Sequence, residues 1–465
     1  MMQGARANIL DAVGGTPLVR LQRVVPPDLH AELYAKCEYL NPAGSVKDRA
    51  ALHLVLQAEG AGRLRPGGTI VEATHGSAGA SLAMVAAVRG YRCVFVVTEK
   101  VSAEKLAALR AWGARVVVCP AEVRPDDPRS HHAVARRIAD ETPNAWLCDQ
   151  HHNPGNPEAH ALHTGPELWT QTGGALDAVV APLDTGGTLS GIGRFLKAQQ
   201  PAVRVVGVDA VGSVYFDHLQ RAEASPAFRY QLEGVGGEFV PDTLHRAVID
   251  ACVRVDDRTA FLTARELVRR EGLFVGGSSG AAVAGAIAWA RSQPVDGARG
   301  PLRVVVVLPD GAEGYLSKVF HDDWMRAHGY IDPEPALGTV RALLQHRPQT
   351  VVTASSDDTL RRVVAKMKSL GISQLPVVDG GRLRGVVSEV DVLRNLVSGE
   401  AHLDGTIAGI FDPAYAEVTP DTPIDQFLAV LAEARVALVT DGPRLLGLIS
   451  KIDLIDYLAR RAAES

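Results

Sequence analysis

Lys47 stands in the run Asn41-Pro42-Ala43-Gly44-Ser45-Val46-Lys47-Asp48-Arg49, behind a turn of small residues and at the opening of a helical stretch. Such a lysine is poorly placed for a salt bridge and well placed to offer its amine to a pocket. A partly desolvated lysine amine is nucleophilic enough to form a Schiff base with an aldehyde. Taken singly, Lys47 would still be read as a solvated surface residue. A second segment changes that balance. Thr185-Gly186-Gly187-Thr188 follows the apolar Ala178-Val179-Val180-Ala181 and precedes a helical stretch. Its free amides, two hydroxyls and a helix N-terminus would cradle a phosphate, although a two-glycine turn is by itself more often structural. An aldehyde that carries a phosphate needs both parts.

Two more segments join a strand-like run to a helical one. Thr74-His75-Gly76-Ser77-Ala78-Gly79 has free amides and hydroxyls that could hold a carboxylate; the alternative is a capped helix with small residues for close packing. In Gly276-Gly277-Ser278-Ser279-Gly280 either serine could cap the helix, or one could hydrogen-bond a heterocyclic nitrogen. His151-His152, His160 and His163 invite a metal reading, but no acidic or cysteine partner completes a ligand spacing, and no metal is expected.

These junctions require elements that place them together. Strand-like β-branched runs fall at 68–72, 92–97, 115–119, 178–181, 203–208 and 303–308, and helical runs at 79–89, 103–111, 189–199, 260–271 and 281–291. Short apolar strands alternating with helices predict an α/β fold whose parallel sheets are covered on both faces. In such folds ligands sit at the carboxyl ends of strands, where these loops lie. The two prolines of 330–338 break the pattern and read as a linker. Beyond it Gly385-Val386-Val387-Ser388-Glu389-Val390-Asp391-Val392-Leu393 recurs as Gly447-Leu448-Ile449-Ser450-Lys451-Ile452-Asp453-Leu454-Ile455, displaced by 447 − 385 = 62 residues. This predicts two β-α-β-β-α units that bury faces against each other.

The totals narrow the classes. A chain of 465 residues should form at least two domains, and 48 basic against 53 acidic residues give no electrostatic case for nucleic acid. No apolar run is long enough for a signal peptide or a membrane span, so a cytoplasmic protein is expected. The five cysteines are dispersed and contain no CxxC pair, as expected of buried, reduced thiols.

Taken in order, the segments resemble the fold-type II pyridoxal-phosphate enzymes of the cysteine synthase and cystathionine β-synthase family, followed by a pair of CBS domains. The resemblance runs through Gly14-Gly15-Thr16-Pro17-Leu18, the Lys47 segment, Glu99-Lys100, Asp149-Gln150 with Asn156-Pro157, and Thr185-Gly186-Gly187-Thr188. It continues through Glu233-Gly234-Val235-Gly236, Gly276-Gly277-Ser278 and Leu308-Pro309-Asp310. It implies a catalytic domain over 1–328 built of two three-layer α/β/α subdomains, a linker over 329–340, and a CBS pair over 341–465, divided near 341–400 and 403–465. It also implies that Lys47 holds pyridoxal 5'-phosphate as a Schiff base and then carries the Cα proton. Ser77, Thr185, Gly186, Gly187, Thr188 and Ser278 would contact the cofactor, with Ser278 as a neutral partner of the ring nitrogen. Thr74, His75, Gly76, Ser77, Ala78 and Gln150 would form the substrate side.

The implied reaction is β-replacement on serine or an activated serine by a thiol. Homocysteine would give cystathionine; a cysteine synthase, or a specialised β-substituted alanine synthase, is the alternative within enzymes. A catalytically silent sensor of adenosyl ligands is the alternative outside them. Ser388 with Asp391, and Ser450 with Asp453, are the CBS candidates for S-adenosylmethionine or an adenine nucleotide, against plain helix caps. A homodimer or higher homo-oligomer is implied, with no membrane or nucleic-acid partner. No haem is implied, since the cysteine- and histidine-bearing extension of animal members is lacking before Val13. The chain departs from the family pattern at His75, Ser77, Ala78, His151, Asp184 and Gly237. Asp184 is the sharpest departure, since a carboxylate beside a phosphate is repulsive unless it points away or is paired.

Overall fold

The computed structural model describes residues 5–464 apart from 122, 124–126, 222–225, 296–299, 332–336, 347–350, 400, 414, 435 and 443. The chain divides into two compact units, Met1–Asp332 and Pro333–Ser465. Much of the expected linker lies outside the described residues.

The first unit is built on two sheets. One has six strands in the order Leu18–Arg20, Ala31–Cys37, Leu302–Leu308, Ala178–Pro182, Arg204–Ala210 and Ala251–Val255, parallel except for the first pair. The other has four parallel strands in the order Arg115–Cys119, Arg92–Thr98, Thr69–Ala73 and Ala145–Leu147. Successive strand residues point to opposite faces, and the valine runs use both. Val304 and Val306 enter one core while Val305 and Val307 enter another. In the smaller sheet Ile70 and Phe95 face one core, and Val71 and Val96 the other. Each fully buried aliphatic side chain contributes about 1.5–3 kcal/mol, so neither face of either sheet can be left uncovered. The helices supply that cover, giving the two three-layer subdomains the resemblance implied.

Helices begin inside the glycine loops, two residues earlier than their apolar periodicity indicates for Ser77–Arg89 and Gly187–Gln199, and four earlier for Gly277–Arg291. Their first amides therefore face the carboxyl ends of the strands. The run expected as helix over 260–271 is α-helical over Asp257–Glu266 and widens to a π turn over Leu267–Glu271. All five cysteines are buried and unpaired. Among the described residues no helix is long and apolar enough to cross a membrane.

In the second unit each repeat has its own core. The hairpin Gln374–Asp379/Arg382–Ser388 packs with Leu360, Val363 and Ile407, and the sheet Ala416–Val418, Val436–Asp441, Arg444–Ser450 packs with Phe427, Val340 and Leu343. The cores interleave along the chain. Val340 N–H bonds to Thr422 O and Ile424 N–H to Gly338 O, while Leu360 N–H bonds to Gly405 O. The helix that precedes the first repeat thus completes the second, and the segment between the repeats completes the first.

Candidate active site

Lys47 opens the helix Lys47–Gly60, and the two residues after it are anchors. Asp48 is fully buried; its carboxylate accepts from Ala43 N–H at 2.7 Å and from the Ser81 hydroxyl at 2.5 Å. Burial nevertheless pushes Asp48 up to about 6. Arg49 donates to Glu38 at 2.7 and 2.8 Å and to Glu167 at 2.9 and 3.0 Å. Glu38 also accepts from the Thr16 hydroxyl at 2.6 Å, and Glu167 from Gly15 N–H at 3.0 Å and from the buried ammonium of Lys36. The Gly14-Gly15-Thr16 segment therefore acts at a distance, by holding the carboxylates that fix Arg49. With Asp48 and Arg49 turned into the protein, Lys47 faces the cleft.

That cleft, of about 690 Å³, is lined by Lys47, Thr74, His75, Ser77, Ala78, Gln150, Thr185, Gly186, Thr188 and Ser278, with Asp184, Gly234 and Asp310. Gly76 and Gly187 do not line it but shape its loops. Gly76 has φ +115°, and a Cβ there would meet Lys105; a Cβ on Gly187 would lie 2.2 Å from the Asn156 side chain. Thr74 Oγ1 accepts from Gly76 N–H at 3.0 Å and Gly79 N–H at 3.3 Å, which spends its hydroxyl on the turn. Thr185 Oγ1 accepts from Asn156 Nδ2 at 3.0 Å and Gly187 N–H at 3.3 Å. Gln150 is buried, and its amide reaches Ala73 O at 3.5 Å.

One expectation is overturned. Lys47 is salt-bridged, its Nζ 2.7 Å from Asp184 Oδ2. The partner comes from the other subdomain across the cleft, so no local spacing around Lys47 could reveal it. Burial alone would raise the Asp184 pKa, but the Lys47 charge outweighs it and holds the carboxyl well below its usual range. While the Lys47 amine is free, the pairing offsets the charge of the carboxylate beside the expected phosphate loop.

Ser278 donates to Asp310 Oδ1 at 2.6 Å, and Tyr315 donates to the other oxygen of that carboxylate. The neutral partner expected here is thus backed by a buried carboxyl whose pKa burial raises. Behind it, Lys105 bonds to the Tyr315 hydroxyl at 2.8 Å and pairs with Glu233 at 2.9 Å, and Lys318 pairs with Glu233 at 2.6 Å. Against desolvation, the two lysines keep Glu233 ionised and its pKa low. Sequence reasoning gave no role to Lys105, Tyr315 or Lys318. Glu233 and Asp310 fell inside quoted motifs and were the available signal. Gly237, where the family carries an aromatic, is explained by Tyr215: a Cβ on Gly237 would lie 2.1 Å from its hydroxyl, which donates to Asp184 O at 2.7 Å. An aromatic ring from elsewhere in the chain fills that space.

The cleft fits pyridoxal phosphate in its donors. An amine, a helix N-terminus with two threonines, and a serine hydroxyl line one cavity. Gly234 has φ +74° and a Cβ there would meet only Ser278, at 3.9 Å, so bare backbone leaves open space beside that serine. No group of His, Cys, Asp or Glu among the described residues is disposed to hold a metal ion.

In the second unit the Ser–Asp pairs are closed on themselves. Ser388 donates to Asp391 Oδ2 at 2.5 Å within a full capping box, and Ser450 does the same to Asp453 at 2.5 Å. The helix cap is therefore complete at Ser388, while at the second candidate the Asp453 carboxylate accepts from the Ser450 N–H at 2.8 Å.

Fold and cleft together define an enzyme that works with a phosphate-bearing aldehyde held on a lysine. Comparison with known proteins gives the same class: residues 9–310 match the family described as Pyridoxal-phosphate dependent enzyme, and 345–398 and 408–460 match the CBS domain. This chain belongs to the pyridoxal-phosphate-dependent enzyme family and carries a C-terminal CBS pair. It is similar to the cystathionine beta-synthase of Dictyostelium discoideum, 35% identical over 97% of this chain and 92% of that one. The Saccharomyces cerevisiae cystathionine beta-synthase is 31% identical over 98% of each. Among solved structures, O-ureido-L-serine synthase is 39% identical with a TM-score of 0.62, covering 71% of this chain and 98% of that one. The O-acetylserine dependent cystathionine beta-synthase from Helicobacter pylori is 35% identical with a TM-score of 0.61, covering 68% and 99%.

Proposed function

We propose that the chain joins serine, or a serine activated at its hydroxyl, to homocysteine to make cystathionine. The observation that carries this reading is the near end-to-end similarity, CBS pair included, to proteins named cystathionine beta-synthase. When bound, the cofactor withdraws electrons from the substrate Cα. Lys47 anchors it and, once freed, takes the Cα proton and later returns it. The amides at the start of Ser77–Arg89 receive the substrate carboxylate. Thr185 and Thr188, with the first amides of Gly187–Gln199, hold the phosphate, and Ser278 meets the ring nitrogen. Asp184 keeps the freed Lys47 oriented toward the cleft.

A second reading is a synthase of another β-substituted alanine. It is favoured by His75, Ser77, Ala78 and Asp184 at the cleft and by the 39% identity to O-ureido-L-serine synthase. One panel decides between them: serine, O-acetylserine and O-phosphoserine against homocysteine, sulfide, amines and hydroxyurea, with products identified by mass. Cystathionine is expected, and its absence with every donor rejects the first reading. Running the panel with and without S-adenosylmethionine tests the adenosyl ligand proposed for the CBS pair. The protein is proposed to work in the cytoplasm as a homodimer.

Asp184→Gly is expected to bind pyridoxal phosphate more tightly, by about tenfold or about 1.4 kcal/mol. It removes the carboxylate near the expected phosphate site, which loses its Lys47 partner once that amine is bound to the cofactor. Titration of apo-protein followed by cofactor absorbance reads the change, and weaker uptake would show instead that Asp184 assists binding.

A further inference from the structure

Thr185 and Thr188 line the cleft, and each is backed by a buried polar side chain from the segment 155–164. Asn156 Nδ2 donates to Thr185 Oγ1 at 3.0 Å, and its orientation is fixed because the same nitrogen donates to Gln150 O at 2.8 Å. Thr185 Oγ1 also accepts from Gly187 N–H at 3.3 Å. Both contacts fall on the lone pairs of that hydroxyl and leave its own proton unspent. One turn later, His160 stands behind Thr188. Its Nε2 lies 3.2 Å from Thr188 Oγ1, and its Nδ1 lies 2.9 Å from Thr164 Oγ1.

The backbone is shaped to make that contact. After Gly155–Ala159 the helix widens at His160–Thr164 into a π turn, closed by Gly165 N–H on His160 O; such turns are frequent at functional sites. Two glycines let the helix Gly187–Gln199 lie hard against it. A Cβ on Gly191 would fall 2.1 Å from Pro157 O and 2.7 Å from His160 Cβ, and one on Gly165 would fall 2.7 Å from Phe195 Cβ.

His160 is fully buried. Burial, with the charges of Arg49 and Lys47, holds its pKa well below the ordinary histidine value, so the ring is neutral near pH 7. A neutral imidazole has one N–H and one lone pair, and two arrangements fit the distances. With the proton on Nδ1, the ring donates to Thr164 and takes the Thr188 proton, so Thr188 offers an anion only lone pairs. With the proton on Nε2, Thr164 donates to Nδ1, the ring donates to Thr188, and the Thr188 proton is left over. Only the second suits a phosphate dianion, which a hydroxyl proton meets in a charge-assisted hydrogen bond. It also repeats at Thr188 what Asn156 does at Thr185.

We propose that His160 and Asn156 are positioning residues of the phosphate site: each donates to the oxygen of one loop threonine, which leaves the protons of Thr185 and Thr188 for the cofactor phosphate. This rests on the reading that those threonines hold the phosphate, and adds that their proton direction is set from behind the loop.

The test is equilibrium binding of pyridoxal phosphate to apo-protein, beside pyridoxal, which keeps the aldehyde and lacks the phosphate. His160→Gln can bring an amide N–H to the place of Nε2, whereas the amide of His160→Asn is one carbon too short to reach Thr188. Affinity of His160→Asn for pyridoxal phosphate should fall about tenfold, with that for pyridoxal unchanged, and His160→Gln should stay within about threefold of the parent. Asn156→Leu, close in size but without an N–H, is the independent arm and should show the same selective loss. Equal losses for both ligands, equal losses in the two His160 variants, or parent-like binding by Asn156→Leu would overturn the proposal. Thr188→Val separates the two possible failures. If it binds pyridoxal phosphate as the parent does, the phosphate reading falls and the proposal with it. If it loses affinity, adding His160→Asn should cost nothing further, because the two side chains act as a unit; a second loss of about tenfold would leave the phosphate reading standing and remove His160 from it.

Discussion

Lys47→Ala is expected to lose covalent attachment of pyridoxal phosphate and to reduce turnover by about 10²–10⁴ through the missing proton carrier alone. The reasoning starts from geometry. Lys47 is the first residue of its helix, Asp48 and Arg49 are committed to buried partners, and the lysine lines the cavity that also holds Thr185, Thr188 and Ser278. The alanine variant also strands Asp184, whose ion pair with Lys47 spans 2.7 Å. Lys47→Arg separates the two effects, since it keeps a cation near Asp184 but has no amine that can deprotonate near neutral pH. Absorbance of the purified proteins reads attachment, and Cα proton exchange reads proton transfer. Both variants should fail in both measurements, with the arginine variant melting closer to the parent. Turnover within tenfold of the parent in either variant would remove Lys47 from the chemistry.

Arg49→Met is expected to destabilise the first unit by about 3–5 kcal/mol, the cost of breaking a buried ion pair from one side. Glu38 is fully buried, and its carboxylate depends on Arg49, Thr16 and Asn41. Urea unfolding followed by near-ultraviolet absorption or fluorescence measures the loss. The pH dependence gives the change its signature. Burial alone would raise the Glu167 pKa, but Arg49 and Lys36 hold it down to about 2, against about 4.3 in an unfolded chain. A depressed carboxylate contributes stability that is present above about pH 4.3 and fades as pH falls toward 2. Without Arg49 the folded value moves back up, so that contribution shrinks and acid unfolding should begin at a higher pH. Unchanged stability in Arg49→Met would mean that Glu38 and Glu167 find other partners, and that the anchor of Lys47 lies elsewhere.

Most elements of the first unit were legible because their strands are buried on both faces and read as uninterrupted valine runs. The strand Ala31–Cys37 escaped notice for the opposite reason: Glu32 and Lys36 interrupt it, and Lys36 is charged yet fully buried. The carboxylate of Glu167, distant in sequence, makes that burial tolerable, with Thr16 O and the Gln171 side chain as further acceptors. Ala251–Val255 was hidden by Arg254, which pairs with Asp217. In the second unit the repeat was plain, but its two interleaved cores were not, since a 62-residue displacement carries no record of which helix completes which sheet.

The site divides along the same line. Lys47, Thr185–Thr188, Thr74–Ala78 and Ser278 could be read from the chain because each belongs to a local turn whose small residues, hydroxyls and helix start act within a few positions. The folded arrangement alone supplied the Asp184 partner of Lys47, the Asp310 partner of Ser278, and the imidazoles of His75, His131, His132 and His151 gathered beside the cleft. Those depend on which strand ends meet across two sheets and on the direction each side chain takes there. Spacing along a chain encodes periodicity within one element, and it carries nothing about the element that faces it.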